Sequence, residues 1–317
     1  MEVGVVLPPQ LPPPAARFQR SADRLQHTVM SYQFHLLGAT LVVCIDDLRR
    51  TLIYDVTSGA IRAGPTLRGY KSDTLAASVV IDDGDVVVDG LYVLDHIPRR
   101  ERRHCFEALL YDHEIDDWAC QDLPQPPYVH DPGHGAAPRV RSVAVAGAHV
   151  WTYTEGAGTY SFDTARGVWR KEGGWALPFR RSAVHVPGCS LWFGVSSADH
   201  AHLCAVDLAT ATELSPPEVR AVWEDFRPPT HWVRRSSAVV HLGGRKLCTL
   251  RFFGTEPTDD KPWRTPRGNV LVVTAVEVQA VEEPGSDGGS SPGIRMLRRR
   301  STCIQIPDYN SLISHVL

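Results

Sequence analysis

Short apolar runs alternate with glycine turns along the chain, and this pattern recurs five times. Each unit begins with two apolar segments joined by a short turn that contains glycine, as in FHLLGATLVVC and VAVAGAHVWTY. Because glycine accepts the positive φ that tight hairpin turns require, each pair of segments predicts a β-hairpin. The turn glycines are Gly38, Gly84, Gly147, Gly188 and Gly243.

A third apolar segment follows each hairpin and ends in an aromatic or apolar residue plus an acid. The carboxylate of such an acid can accept hydrogen bonds from nearby backbone N–H groups, which favours a turn. Large residues stand about six and about twelve positions later. We expect the Tyr or Phe before the acid and the Trp residues after it to fill the gaps between neighbouring sheets. The acids are Asp55, Asp112, Asp163, Asp207 and, more weakly, Glu277. The large residues are Ile61, Trp118, Trp169 and Leu214, followed by Leu67, Leu123, Trp175 and Val219.

Each unit therefore indicates a four-stranded antiparallel sheet, at the spacing typical of a β-propeller blade. One such sheet cannot cover both of its faces, so we expect neighbouring sheets to stack against each other. We predict an all-β, kelch-like β-propeller over residues 32–306, with a proline-rich arm over 1–31 and a tail over 307–317. Its five blades cover 32–68, 73–128, 139–178, 181–220 and 236–300, with room for a partial sixth blade built from 1–31 and 301–317.

Several segments resemble known families. The spacing of the units resembles kelch repeats, although the usual double glycine occurs only at Gly243–Gly244. More closely, the chain is similar to a grass-expanded plant family of uncharacterised proteins, the type catalogued as domain of unknown function 1668. That resemblance implies a propeller for which no catalytic residues are assigned. It is carried by 91–95, 104–129, 158–180, 191–194 with 203–208, and 239–253, where FEALLYD…W…LPQPPYV is the most specific string.

Composition narrows the class of protein. The 317 residues are 43% hydrophobic and 22% charged, which is close to ordinary globular usage. A net charge of −3 argues against a dedicated nucleic-acid binder, and no apolar run approaches the roughly 18–20 residues of a membrane span. The seven cysteines are odd in number and lie mostly inside apolar runs. This pattern favours reduced thiols and an intracellular location, in the cytoplasm, the nucleus or both.

Two groups of residues could bind a metal. His130, Asp131 and His134 lie in the loop HDPGHG, and His202 and Cys204 would share one face of a strand. The sequence offers no further ligand for either group. The simpler interpretations are an ordinary loop for HDPGHG and a packed thiol for Cys204. The motifs of nucleotide-binding proteins and hydrolases do not occur in the sequence. We therefore assign no catalytic, cofactor-binding or metal residue and expect no cofactor.

Two arginine clusters interrupt the apolar pattern. The first lies in a charged insertion at 95–105, and we interpret it as a solvated loop that could dock an acidic partner. The second precedes Ser301, and the string RRRS suits a basophilic kinase or a weak nuclear signal. The two clusters comprise Arg99, Arg100, Arg102 and Arg103, and Arg298, Arg299 and Arg300.

The sequence favours a non-catalytic, monomeric protein-interaction module. A stacked set of blades displays irregular loops, and loops carry binding side chains. The insertions at 95–105, 124–138 and 254–268 are the predicted interaction loops. We expect an unidentified protein partner, and neither nucleic acid nor a membrane. The alternative is a propeller enzyme with a metal-dependent oxidase or hydrolase site in its central channel.

Overall fold

The structure is a computed structural model, and it describes residues 13, 15–16, 18, 32–82, 87–131, 138–198, 202–224, 226–255, 269–284 and 290–306. These ranges contain twenty strands, two 3-10 helices and no α-helix. Successive strands pair antiparallel in five groups of four, which we call blades 1 to 5.

The first three blades contain strands β1 to β12. Blade 1 comprises β1 (Tyr32–Leu37), β2 (Leu41–Asp46), β3 (Thr51–Asp55) and β4 (Ile61–Ala63). Blade 2 comprises β5 (Thr74–Asp82), β6 (Val87–Asp95), β7 (Phe106–Asp112) and β8 (Asp117–Asp122). Blade 3 comprises β9 (Val140–Ala146), β10 (His149–Thr154), β11 (Gly158–Asp163) and β12 (Val168–Gly173).

The last two blades contain strands β13 to β20. Blade 4 comprises β13 (Phe179–Val186), β14 (Leu191–Ser196), β15 (Leu203–Asp207) and β16 (Glu218–Trp223). Blade 5 comprises β17 (Trp232–His241), β18 (Lys246–Thr255), β19 (Asn269–Pro284) and β20 (Ser290–Ile306). The 3-10 helices are Pro127–His130 and Leu208–Thr210.

The chain forms two compact units, and within each unit the blades pack face to face. One unit holds blades 1 to 3 together with Thr212–Pro216, and the other holds blades 4 and 5. Burial of apolar side chains between adjacent sheets stabilises this arrangement, because a single sheet leaves one face exposed. The predicted fold class, an all-β chain of propeller-type four-stranded blades, is confirmed. Side chains that share these inter-blade cores include Val43 with Leu109, Phe106 with Phe162, and Phe193 with Val276.

The hairpin turns follow the glycine prediction in three blades. Gly38, Gly147 and Gly243 have φ values of 63°, 58° and 91°, in the left-handed region that glycine occupies without a steric cost. Blade 4 differs, because the left-handed residue in its turn is Ser190, with φ of 54°, and not Gly188. Gly84 lies outside the described residues.

The predicted turn after the third strand is confirmed in four blades. In each, the aspartate that ends the strand accepts a hydrogen bond from the backbone N–H two residues later, which fixes the turn. The donors are Thr57 N to Asp55 at 2.8 Å, Glu114 N to Asp112 at 2.9 Å, Ala165 N to Asp163 at 3.0 Å and Ala209 N to Asp207 at 3.1 Å.

The aromatic residues predicted to fill gaps between sheets include Trp118 and Phe162, which lie in the cores between adjacent blades. Trp118, Leu67 and Leu123 are buried, and Trp169 packs against the core between blades 2 and 3. Ile61 and Leu214 are exposed, the latter by 95%. Ile61 stands at the corresponding position of the first unit and is exposed because β4 is a three-residue edge strand with both faces in solvent.

The fourth unit also departs from the predicted spacing. The 3-10 helix Leu208–Thr210 lengthens the link, so β16 begins only at Glu218. Leu214 therefore falls in the link, and Val219 on β16 is exposed as well. An inserted helical turn changes the side-chain register, which a fixed residue count does not detect.

Blade 5 departs most from the prediction. Glu277 does not end a strand but lies inside β19, where its carboxylate pairs with Arg299 at 2.6 Å. The predicted polar loop at 281–293 is instead mostly strand, because β19 continues to Pro284 and β20 begins at Ser290. Residues 301–306 belong to β20, so they do not contribute to a sixth blade.

Candidate functional site: a basic loop on blade 2

The insertion between β6 and β7 presents arginine side chains to solvent, and we call its residues Pro98–His104 the basic loop. Arg99, Arg100 and Arg103 are exposed, whereas Pro98 is buried. No described residue forms an ion pair with these three guanidinium groups. They therefore create a local positive patch on a chain whose net charge is −3.

A buried carboxylate fixes the start of the loop. Asp95, the last residue of β6, has a fully buried side chain that accepts hydrogen bonds from Ile97 N at 3.2 Å and Ser72 Oγ at 3.4 Å. The guanidinium group of Arg102 lies 3.1 Å from its other oxygen. The interpretation of the whole insertion as a solvated loop is therefore wrong at Asp95 and Arg102, because both are tied to the blade.

The rest of the loop is held from two sides. The side-chain amide of Gln125 donates to the backbone carbonyls of Arg102 at 2.8 Å and Arg99 at 3.3 Å. Arg102 also lies over the ring of Tyr70, 5.7 Å from its centroid, in a cation–π contact. A loop anchored at its backbone loses less conformational entropy when a partner binds its remaining side chains.

A buried ion pair lies at the end of the same insertion, and the sequence analysis missed it. Lys71 Nζ pairs with Glu107 on β7, and both side chains are almost completely buried. Burial alone would raise the pKa of Glu107, but the Lys71 charge and a hydrogen bond from Arg68 N outweigh it and lower the pKa below its ordinary value. The pair connects the link after blade 1 to the strand that follows the basic loop.

Comparison with known proteins identifies the family. A sequence profile described as "Protein of unknown function (DUF1668)" matches residues 5–304. The chain belongs to the DUF1668 family. No curated protein matches it.

Among solved structures, this DUF1668 protein is similar to the β-propeller domain of Cps50 (Swd1) from Myceliophteria thermophila. The two chains share 11% sequence identity, and the match covers 86% of this chain and 90% of that chain with a TM-score of 0.35.

The other two predicted interaction loops have different outcomes. At 124–138 the DUF1668 chain forms the 3-10 helix Pro127–His130, whose Tyr128 is buried against Tyr160 with ring centroids 5.2 Å apart. Tyr128 therefore belongs to the core, where its ring fills the space beside blade 3, whereas Pro127 and His130 of the same helix are exposed. Residues 132–137 and 256–268 lie outside the described residues.

The candidate metal ligands do not form a site within the described ranges. No three His, Cys, Asp or Glu side chains there come close enough together to hold a metal ion. His134 lies outside these ranges. His202 directly precedes β15, and its carbonyl accepts a hydrogen bond from Ser196 N on the neighbouring strand at 2.8 Å. Burial raises the pKa of the Cys204 thiol to about 12, so it is a protonated, packed side chain.

The second arginine cluster lies on a strand. Arg298, Arg299 and Arg300 belong to β20, and the Ser301 hydroxyl lies 3.0 Å from Thr274 Oγ1 on the neighbouring strand.

Across the described ranges no helix is long and apolar enough to cross a membrane.

Proposed function

We propose that this DUF1668 protein is a non-catalytic, kelch-like interaction module whose basic loop binds an acidic segment of a partner protein. We further propose that it acts as an intracellular monomer. The observation that carries the proposal is the set of three solvent-exposed arginines, Arg99, Arg100 and Arg103, on a loop that Asp95 and Gln125 hold in place.

Charge complementarity explains why an acidic segment fits this loop. Arginine presents a planar set of N–H donors that matches a carboxylate, and opposite surface potentials steer partners together. Each exposed ion pair contributes only about 0.2–1 kcal/mol. Three such ion pairs, formed by an anchored loop, therefore support a salt-sensitive interaction. The remaining contacts depend on the shape of the partner protein.

Purified protein and a fluorescent peptide of ten glutamates test the electrostatic part of this proposal. We expect binding that weakens as the salt concentration rises, and that is lost when Arg99, Arg100 and Arg103 are all changed to Glu. The matched control reverses two exposed arginines elsewhere, R166E/R227E, and should bind as the unchanged protein does. Asp95→Asn keeps the three arginines but loosens the loop, so it should weaken binding by less than the triple change.

Proximity labelling in cells then identifies the partner. We expect the triple variant to lose one or more acidic proteins that the unchanged chain and R166E/R227E both label. Identical labelled sets from all three would refute the assignment of the basic loop. Stoichiometric copper or zinc in the purified protein would instead favour the metal-dependent enzyme over the non-catalytic module.

A further inference from the structure

Pairs of arginines precede a serine or a threonine at one fixed spacing on two strands of blade 5. In this pattern the arginines stand three and two positions before the hydroxyl residue, which suits the acidic substrate groove of an arginine-directed protein kinase. The sequence contains three such strings, which are RRSS over 234–237, RRRS over 298–301 and RRST over 299–302. Their acceptor residues are Ser237, Ser301 and Thr302.

Burial separates the three acceptors. Ser301 is exposed, whereas the Oγ atom of Ser237 is buried. Thr302 is half-buried, and because side chains alternate along a strand it shares the face of β20 on which Ile304 packs into the core. A protein kinase must contact the hydroxyl oxygen directly, so Ser301 is the accessible acceptor of the three.

Ser301 also lies at a weakly paired part of its sheet. β20 is the terminal strand of the blade 5 sheet, so within that sheet it pairs with β19 alone. The pairing register shifts between Ala275 and Val276 of β19, so Arg299 is the extra residue of a bulge two positions before Ser301. An edge position and a bulge both lower the cost of separating β20 locally from β19. The strand can therefore open far enough to place Ser301 in a kinase active site.

The three arginines before Ser301 are exposed, as recognition by a kinase requires. Arg299 pairs with Glu277 at 2.6 Å, and this ion pair is open to solvent and so contributes little to stability. Arg298 also interacts with other groups of the chain. Each guanidinium has five N–H donors, so these contacts leave donors for the carboxylates of a kinase.

We propose that Ser301 is the phosphate acceptor for an arginine-directed protein kinase that uses ATP. The Ser301 oxygen forms a bond to the γ-phosphorus of ATP while the bond from that phosphorus to the departing ADP oxygen breaks, and the hydroxyl proton passes to the catalytic aspartate of the kinase. The phosphate adds a charge of about −1.5 to −2 directly after three arginines. Modification therefore offsets much of the positive charge at this edge of blade 5.

Incubation of the full chain with Mg-ATP and the catalytic subunit of cyclic-AMP-dependent protein kinase, which is arginine-directed, tests the site. We expect a single phosphate, which peptide mass spectrometry locates on Ser301, and Ser301→Ala should abolish its incorporation. R298Q/R299Q should slow phosphorylation by roughly tenfold or more, because it removes two charge-assisted contacts with the kinase. All three side chains are exposed, so the variants should fold, and unchanged melting temperatures would verify this.

Ser237→Ala is the matched control, because it removes the acceptor of the same sequence pattern at a buried position. It should leave phosphorylation unchanged. No incorporation into the folded chain, or phosphate on Ser237 or Thr302 with Ser301 unmodified, would overturn the proposal. An unchanged rate in R298Q/R299Q would do the same. The proposal is independent of the basic loop, which belongs to the other compact unit, so reversing the three exposed charges of that loop should not alter phosphorylation.

Discussion

Lys71 Nζ and the Glu107 carboxylate form an ion pair in which the two side chains are 1% and 0% exposed. Backbone groups form further hydrogen bonds with both side chains. Arg68 N donates to Glu107 at 2.7 Å, and Lys71 also donates to the carbonyls of Gly69 at 3.3 Å and His104 at 3.2 Å. Because both charges are fully hydrogen-bonded, the pair can exist in an apolar interior and fixes how the link after blade 1 meets β7.

Removing one partner of this pair should be strongly destabilising. Lys71→Met leaves the Glu107 carboxylate buried without its counter-charge, which costs about 3–5 kcal/mol. The double change K71M/E107L removes both charges and should recover a large part of that loss. Urea denaturation at neutral pH measures the free energy of unfolding of each variant. A loss below about 1 kcal/mol for Lys71→Met would show that the pair is open to solvent.

The same pair predicts a loss of stability in acid. The pKa of Glu107 in the folded protein lies below its ordinary value of 4.5, so the folded state favours the charged form. Its contribution is therefore complete above pH 4.5 and falls as the pH drops through the folded pKa. The measurement is the free energy of unfolding from pH 7 to pH 3. Glu107→Gln should be less stable than the unchanged protein at pH 7, and that difference should shrink in acid; a constant difference would contradict the prediction.

Local chemistry explains which parts of the fold the sequence could predict. The aspartate turns after Asp55, Asp112 and Asp163 depend on residues two positions apart, so their pattern is visible in the sequence. Lys71 and Glu107 are 36 residues apart, and neither stands in a distinctive motif. Their pairing depends on how the link after blade 1 packs against β7, which no local spacing encodes.

In the candidate site, too, some features could be predicted from the sequence and others could not. Exposure of Arg99 and Arg100 followed from their charge and from the break they make in the apolar pattern. The anchoring of the loop by Gln125 could not be predicted, because this side chain bonds to residues more than twenty positions earlier in the chain.

Trp169 should contribute to stability as an inter-blade side chain. Its ring centroid lies 5.1 Å from that of Phe106 on blade 2 and 5.2 Å from that of Phe162 on blade 3. Its Nε1 donates to the Pro124 carbonyl at 2.8 Å. Trp169→Ala should cost about 3–5 kcal/mol in urea denaturation. Trp169→Phe keeps a ring but loses the hydrogen bond, so its cost should be smaller, about 0.5–1.5 kcal/mol. A loss below about 1 kcal/mol for the alanine variant would mean that the ring contributes little packing.

The thiols should differ sharply in reactivity. All seven cysteines are free, and burial raises the pKa of Cys44 and Cys204 to about 12. Because the thiolate is the reactive form, these two should resist a thiol reagent at pH 8 until the protein unfolds. Cys303 is exposed and should be labelled first. Mass spectrometry of the folded protein after brief labelling gives the order, and Cys303→Ser is the control. Early modification of Cys44 would contradict the packing of blade 1.

Gly69 should be intolerant of a side chain because of the backbone beside it. A Cβ atom at this position would lie 2.3 Å from the His104 carbonyl oxygen and 3.0 Å from its carbon, and neither atom can move away independently of the chain. Gly69 N also donates to the buried Glu107 carboxylate at 3.2 Å, so a shift would disturb the ion pair. Gly69→Ala should therefore cost about 1–3 kcal/mol or more. Gly174→Ala is the matched control, since nothing lies within 4 Å of its Cβ position, and it should change stability by less than about 0.5 kcal/mol. Equal melting temperatures for the two variants would show that the basic loop can move away from Gly69 at little cost.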